Sequence, residues 1–236
     1  LKLNKDGNFI WVKQFGSSDG NSIAQGIKLD IDTITEEVVV CGSFNGTVDF
    51  DPGAGTANLS TEKAEAFVLK LNSNGDFQWV KQITGPTISD WQYMKSLSVD
   101  SSGVYAVGEF TGTTDFDPGV GTAQLVSNGT NDVFVMKLDF AGNYQWAKSF
   151  GGTAIELAKS VATDSSGVYI AGGFRGTVNF NSAGSANLSS PDVNTVNGFL
   201  VKFDNSGAFQ WAAKVGGLAS GVAVDATGGY VHTTGY

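Results

Sequence analysis

Four tryptophans recur at near-constant intervals, each inside the same short phrase: "FIWVKQF" around Trp11, "FQWVKQI" around Trp79, "YQWAKSF" around Trp146 and "FQWAAKV" around Trp211. The steps are 68, 67 and 65 residues. A period of that kind constrains the fold more than any single motif, because one supersecondary unit must then be stacked several times and bury its faces against its neighbours. The third copy shows the unit best. "AKSVATD" (158–164) reads as a first strand, "SSG" as a turn and "VYIAGGF" (168–174) as a second strand. A long loop follows, then "FLVKFD" (199–204) as a third strand and "FQWAAKV" (209–215) as a fourth.

Both hairpin turns repeat their chemistry. The first is "DSSG" at 100–103 and 164–167, and Asp30 and Asp225 take the matching place elsewhere. The second is "NSNG" at 72–75 and "DNSG" at 204–207. An Asp or Asn side chain accepts backbone N–H groups two residues on, and glycine supplies the positive φ of a bulged hairpin. In "FVLKL" (67–71), Phe67, Leu69 and Leu71 share one face and Val68 takes the other, so the sheet is apolar on both sides. Gly26, Ser96, Ser160 and Gly221 put a small residue at one matched position of the first strand, as a crowded centre requires. No sustained 3.6-residue period appears. These features predict an all-β fold, a β-propeller of four-stranded antiparallel blades, with a β-solenoid of shorter coils as the rival. The predicted parts are a half blade at 1–15, blades at 22–82, 93–150 and 157–215, and a half blade at 218–236. The two halves could join into one blade of a four-bladed ring. The abrupt ends, Leu1 without a Met and Tyr236 in mid-pattern, favour a slice of a larger ring or a processed chain.

At this level the residues resemble a known family. "KSLSVDSSGVYAVGEF" (95–110) and "KSVATDSSGVYIAGGF" (159–174), each followed by an "FVMKL" or "FLVKF" strand, are similar to bacterial SBBP-type β-propeller repeats. The copies with "DFDPG" resemble variants in large secreted proteins of Bacteroidetes-type bacteria. The resemblance implies a secreted or cell-surface module that binds a protein or glycan at a rim, or spaces further blades of a longer chain.

Composition narrows the function further. Net charge is −9 and the sequence pI about 4.4, the wrong sign for a nucleic-acid groove or an anionic membrane surface. No apolar run reaches the ~20 residues of a membrane helix. The single cysteine, Cys41, excludes an internal disulfide, and with one histidine, His232, the chain cannot build a zinc centre. His232 stands where other units have Tyr105 and Tyr169, which predicts a packed ring.

The candidate site residues are few. "TVDFDPGAGTANLS" (47–60) returns as "TTDFDPGVGTAQLV" (113–126) and, altered, as "TVNFNSAGSANLS" (177–189). Asp49, Asp51, Asp115 and Asp117 could bind calcium. The exchange to Asn179 and Asn181 favours turn formation, with Phe50, Phe116 and Phe180 buried between the two side chains. No cofactor is expected on that reading. Twelve of the seventeen aspartates recur once per unit, as turn residues do. Glu109 departs from the repeat, where Ser43 and Gly173 stand in the other copies. Trp91, with Tyr93 beside it, lies outside the tryptophan pattern, at the entry to a first strand. Arg175 is the only arginine. Trp91, Tyr93, Glu109 and Arg175 are therefore the ligand-binding candidates, and no catalytic residue is assigned. The alternative is a glycan-active hydrolase or lyase with axial carboxylates. It would need two of Glu109, Glu156, Asp19 and Asp90 to face each other across one cleft.

Overall fold

The computed structural model describes residues 1–17, 22–182, 184–225 and 229–235, and Asp19 lies outside them. Among the described residues there is no helix. The strands are β1 (Lys2–Leu3), β2 (Phe9–Trp11), β3 (Ile23–Ile31), β4 (Val38–Asp49), β5 (Asn58–Leu71), β6 (Phe77–Ile83), β7 (Gln92–Asp100), β8 (Gly103–Phe110), β9 (Thr113–Asp115), β10 (Gln124–Val126), β11 (Asp132–Leu138), β12 (Tyr144–Phe150), β13 (Glu156–Asp164), β14 (Gly167–Phe174), β15 (Thr177–Asn179), β16 (Asn187–Ser189), β17 (Asn197–Phe203), β18 (Phe209–Val215), β19 (Ala219–Val224) and β20 (Val231–Gly235). Three four-stranded antiparallel sheets run β3-β4-β5-β6, β7-β8-β11-β12 and β13-β14-β17-β18. We call them the first, second and third sheets. The pairs β1-β2 and β19-β20 form two-stranded sheets of their own, and β9-β10 and β15-β16 are small hairpins.

The turns form as their side chains dictate. Asn72, Asp139 and Asp204 each accept two backbone N–H groups of their turn at 2.8–2.9 Å. The glycine that closes each turn has φ near +79°. The first hairpin turn of the first sheet departs from expectation. Asp32 opens it, accepting the Ile34 N–H at 2.8 Å. Asp30 instead reaches across to accept the Val99 N–H of β7 at 2.9 Å. The matched small residues of the first strands sit at β-bulges, at Gly26, Ser96, Ser160 and Gly221.

First strands pack on first strands, β3 against β7, β7 against β13 and β13 against β19. The tryptophan strands lie at the opposite edge of each sheet. Strand β11 serves both neighbours: Phe134 and Met136 enter the core towards the first sheet, Val133 and Val135 the core towards the third. Every residue of β8, β11 and β14 is buried.

The tryptophans join consecutive sheets. The indole N–H of Trp79 donates to the Phe140 carbonyl at 3.1 Å, and that of Trp146 to the Asn205 carbonyl at 3.0 Å. Each carbonyl belongs to the outer turn of the next sheet, and a Cβ on that turn's glycine, Gly142 or Gly207, would strike the indole. Among the described residues no such turn stands above Trp211, which is 38% exposed, against 8% for Trp146. His232, on β20, is exposed rather than packed, because among the described residues no third strand covers it.

Candidate functional site

The "DFDPG" motif closes an inter-sheet strap. Asp49 Oδ1 accepts the N–H groups of Asp51 and Ala57 at 3.0 and 2.8 Å, and Asp51 Oδ1 that of Gly53 at 2.7 Å. Asp115 and Asp117 repeat the pattern on Asp117, Ala123 and Gly119. Asn179 repeats it without charge, accepting from Asn181 and Ala186. The strap then bridges backward, Asp49 to Gly16, Asp115 to Thr84 and Asn179 to Gly151. Phe50, Phe116 and Phe180 are fully buried beneath it, and Phe180 lies 5.0 Å from Phe150 of the preceding sheet. Among the described residues no group of three or more His, Cys, Asp or Glu side chains gathers as a metal centre.

Three of the four ligand-binding candidates come together where β7 enters the second sheet. The rings of Trp91 and Tyr93 lie 4.9 Å apart, with Trp91 half-buried and Tyr93 37% exposed. Tyr93 pairs with Glu109 across β7 and β8. Lys95 Nζ stands 5.8 Å over the Tyr93 ring and 3.3 Å from Glu109 Oε2, while Glu109 Oε1 accepts the Ala158 N–H of the third sheet. Burial raises the Glu109 carboxyl above its ordinary range, and the charges of Lys95 and Lys159 oppose that shift. Arg175 is not in this group. Its backbone N–H bonds the carbonyl of Ile155, which stands just before β13 as Trp91 stands before β7.

Sequence reasoning missed Lys95 as the partner of Glu109. It named Glu156 among the acidic candidates but missed Asp132 as its neighbour, and these two carboxyl groups come together at the junction of the second and third sheets. Asp132, on β11, and Glu156, on β13, are 1% and 0% exposed. Asp132 accepts the Asn128 N–H at 3.1 Å, and Glu156 Oε2 the Gly152 N–H at 2.9 Å. A Cβ on Gly151 would lie 2.2 Å from the Asp132 carboxyl, and the next residue, Gly152, donates to Glu156, so the two acids flank the Gly151–Gly152 step. Glu156 Oε1 is buried without a hydrogen-bond partner. Burial pushes Asp132 up to about 6. Burial, with Asp132 nearby, pushes Glu156 up to about 7. The signal in the sequence was positional: Asp132 stands where the first sheet has Glu65 and the third Asn197, and Glu156 where β7 has Gln92.

The other acidic candidate, Asp90, is buried and accepts the Thr87 N–H at 3.0 Å. Burial drives the thiol of Cys41 up to about 12, as for an inert core residue. A cavity of about 700 Å³ lies away from all of these, between β1-β2 and the first sheet. Leu1, Trp11, Phe15, Leu29, Ile31 and Val40 line it.

No family model matches the chain. An uncharacterised WD repeat-containing protein of Acanthamoeba polyphaga mimivirus is 26% identical over 251 residues, covering 93% of this chain. The chain spans 17% of that relative's length. The resemblance to bacterial SBBP-type repeats is thereby corrected. That resemblance rested on short strand-turn-strand phrases, whereas the similarity to the viral WD repeat-containing protein extends over 93% of the chain. Extracellular placement rested on that resemblance alone.

Proposed function

We propose that the three sheets are blades of a β-propeller and that the chain is a non-catalytic, protein-binding module. First strands packed on one another, tryptophan strands outermost and the similarity to a WD repeat-containing protein support the blade reading. The observation that carries the binding reading is the Trp91–Tyr93 pair at the entry to the second sheet. Two aromatic rings that depart from the repeat stand in contact and partly exposed, with the Lys95–Glu109 ion pair beneath them. Aromatic side chains held rigid in this way make binding hot spots. The hydrolase alternative finds less support. Glu109 is engaged by Lys95 and the Ala158 N–H, and Asp132 and Glu156 are closed to solvent, where no substrate reaches them.

Selection of peptides from a random displayed library on the intact chain tests the reading. Selected peptides should lose affinity by about 30-fold or more on Trp91→Ala or Tyr93→Ala. Phe9→Ala, at an exposed ring in another part of the molecule, should change nothing. Peptides indifferent to both rim substitutions would refute the site.

A further inference from the structure

We propose that Asp132 and Glu156 form a proton-controlled latch between the second and third sheets, closed while the pair carries protons and loosened once both carboxyl groups are ionised. The geometry supplies the argument. The two side chains come from different sheets, one from β11 and one from β13, and meet around Gly151–Gly152. Both are shut off from water. Two negative charges so placed repel each other and lack solvent, so each costs free energy unless a proton or a cation neutralises it.

No cation among the described residues does so. On β13, Lys159 acts on Glu109, as does Lys95 on β7. Lys137 of β11 stands over Tyr105 of β8 and bonds Ser102 and the Asn205 carbonyl. Lys148 of β12 lines a separate cleft with Asn181 and Phe209. On β14 the titratable residue is Tyr169, bonded to Asp164 at the far turn, with Lys202 of β17 over its ring. Arg175, just past β14, makes no ion pair with either acid. The backbone is the remaining support: the Asn128 and Gly152 N–H groups bond the carboxylates, and Asn131 holds the Glu156 backbone from both sides.

The sign follows from linkage. Glu156 goes from 4.5 to about 7, and Asp132 from 3.8 to about 6. The folded state therefore binds these protons more tightly than the unfolded state. Their contribution is full below about pH 4, declines as the pH rises, and is gone above about pH 7. The loss falls on the contact between β11 and β13, which gives the device a place to open.

Hydrogen exchange of the intact chain, followed by mass between pH 5 and pH 8 and corrected for intrinsic rates, tests this. Protection of 151–158 should fall by about tenfold or more across that range, while the matching 84–94 segment of the neighbouring junction stays constant. In Asp132→Asn/Glu156→Gln the fall should vanish, and the Gln92 precedent shows that the position accepts an amide. Constant protection in the parent chain, or an undiminished fall in the variant, overturns the latch. Should the variant not fold, carboxyl carbon resonances of the unaltered protein decide: titration of Glu156 and Asp132 in the ordinary acid range overturns it, and titration of both nearer neutrality sustains it.

Discussion

The junction between the first and second sheets and the junction between the second and third are built from the same positions and differ in charge. At the first, Glu65 is 2% exposed, lies 3.3 Å from Lys63 Nζ, and accepts hydrogen bonds from Thr84 at 2.5 Å and from Gln82. Its counterpart across the gap is a neutral amide, Gln92, which donates to Thr114 Oγ1 at 2.9 Å. At the second junction Glu65 is replaced by Asp132, Lys63 by Thr130, Thr84 by Gly151, Gln92 by Glu156 and Thr114 by Val178. The first exchange keeps an acid, and each of the other four removes a compensating group or adds a charge. The frame survives all of them: the same bridges link Thr84 to Asp115 and Gly151 to Asn179, and the same buried phenylalanine pins each strap. A repeat thus holds its fold through what recurs and acquires chemistry through what does not.

The largest expected effect tests the shared frame. Phe116→Ala and Phe180→Ala should each cost ~3–5 kcal/mol in denaturant unfolding, because each leaves a cavity in a closed core. Similar costs at the two sites would show the frames to be equivalent, and a cost below ~1 kcal/mol at either would break the comparison. Lys63→Met should convert the first junction into something like the second. It strands the buried Glu65 carboxylate and should cost ~3 kcal/mol in denaturant unfolding at pH 8. A loss below ~1 kcal/mol would show that Lys63 does not compensate Glu65.

Smaller effects sharpen the contrast. Val178→Thr restores the hydroxyl that the first junction has in Thr114, and it should stabilise the folded protein by ~1 kcal/mol if the hydroxyl reaches Glu156 Oε1. Destabilisation would show that the added polar group finds no partner. Asp51→Asn should change stability by less than ~1 kcal/mol, since an amide oxygen can accept the Gly53 N–H as Asn179 accepts its own two. A chelator should leave the melting temperature unchanged. A drop on adding it would favour calcium at Asp49, Asp51, Asp115 and Asp117 over the turn reading.

Much of the fold was legible because its causes are local. Period-2 alternation, Asx turns and the glycine at positive φ act within a few residues, so strands and hairpins could be read copy by copy. The aspartate straps were legible for the same reason, down to the burial of Phe50, Phe116 and Phe180. Asp30 misled because "LDIDTITEE" carries two turn-forming aspartates, and only the packing of β3 on β7 decides which one turns the chain and which reaches Val99. The site was legible in part. Trp91, Tyr93 and Glu109 stood out as departures from the repeat, but Lys95 hid inside a repeated phrase that Lys159 shares. Asp132 and Glu156 lie 24 positions apart on different sheets, and neither is unusual by itself. Their meeting depends on how two sheets stack, which no local pattern encodes.

The most direct test of the charge asymmetry is the sign of two matched substitutions. Glu65→Gln and Glu156→Gln each replace a buried carboxyl by its amide, one beside a lysine and one beside an aspartate. Unfolding free energies at pH 8 should show Glu65→Gln destabilised by ~2–3 kcal/mol, because Lys63 keeps its bonds to the Gly85 and Thr87 carbonyls but loses its counter-charge. Glu156→Gln should be stabilised by ~1–2 kcal/mol, because a desolvated charge is gone, and at pH 4.5 that gain should disappear. Two losses of similar size at pH 8, with no dependence on pH, would contradict the account.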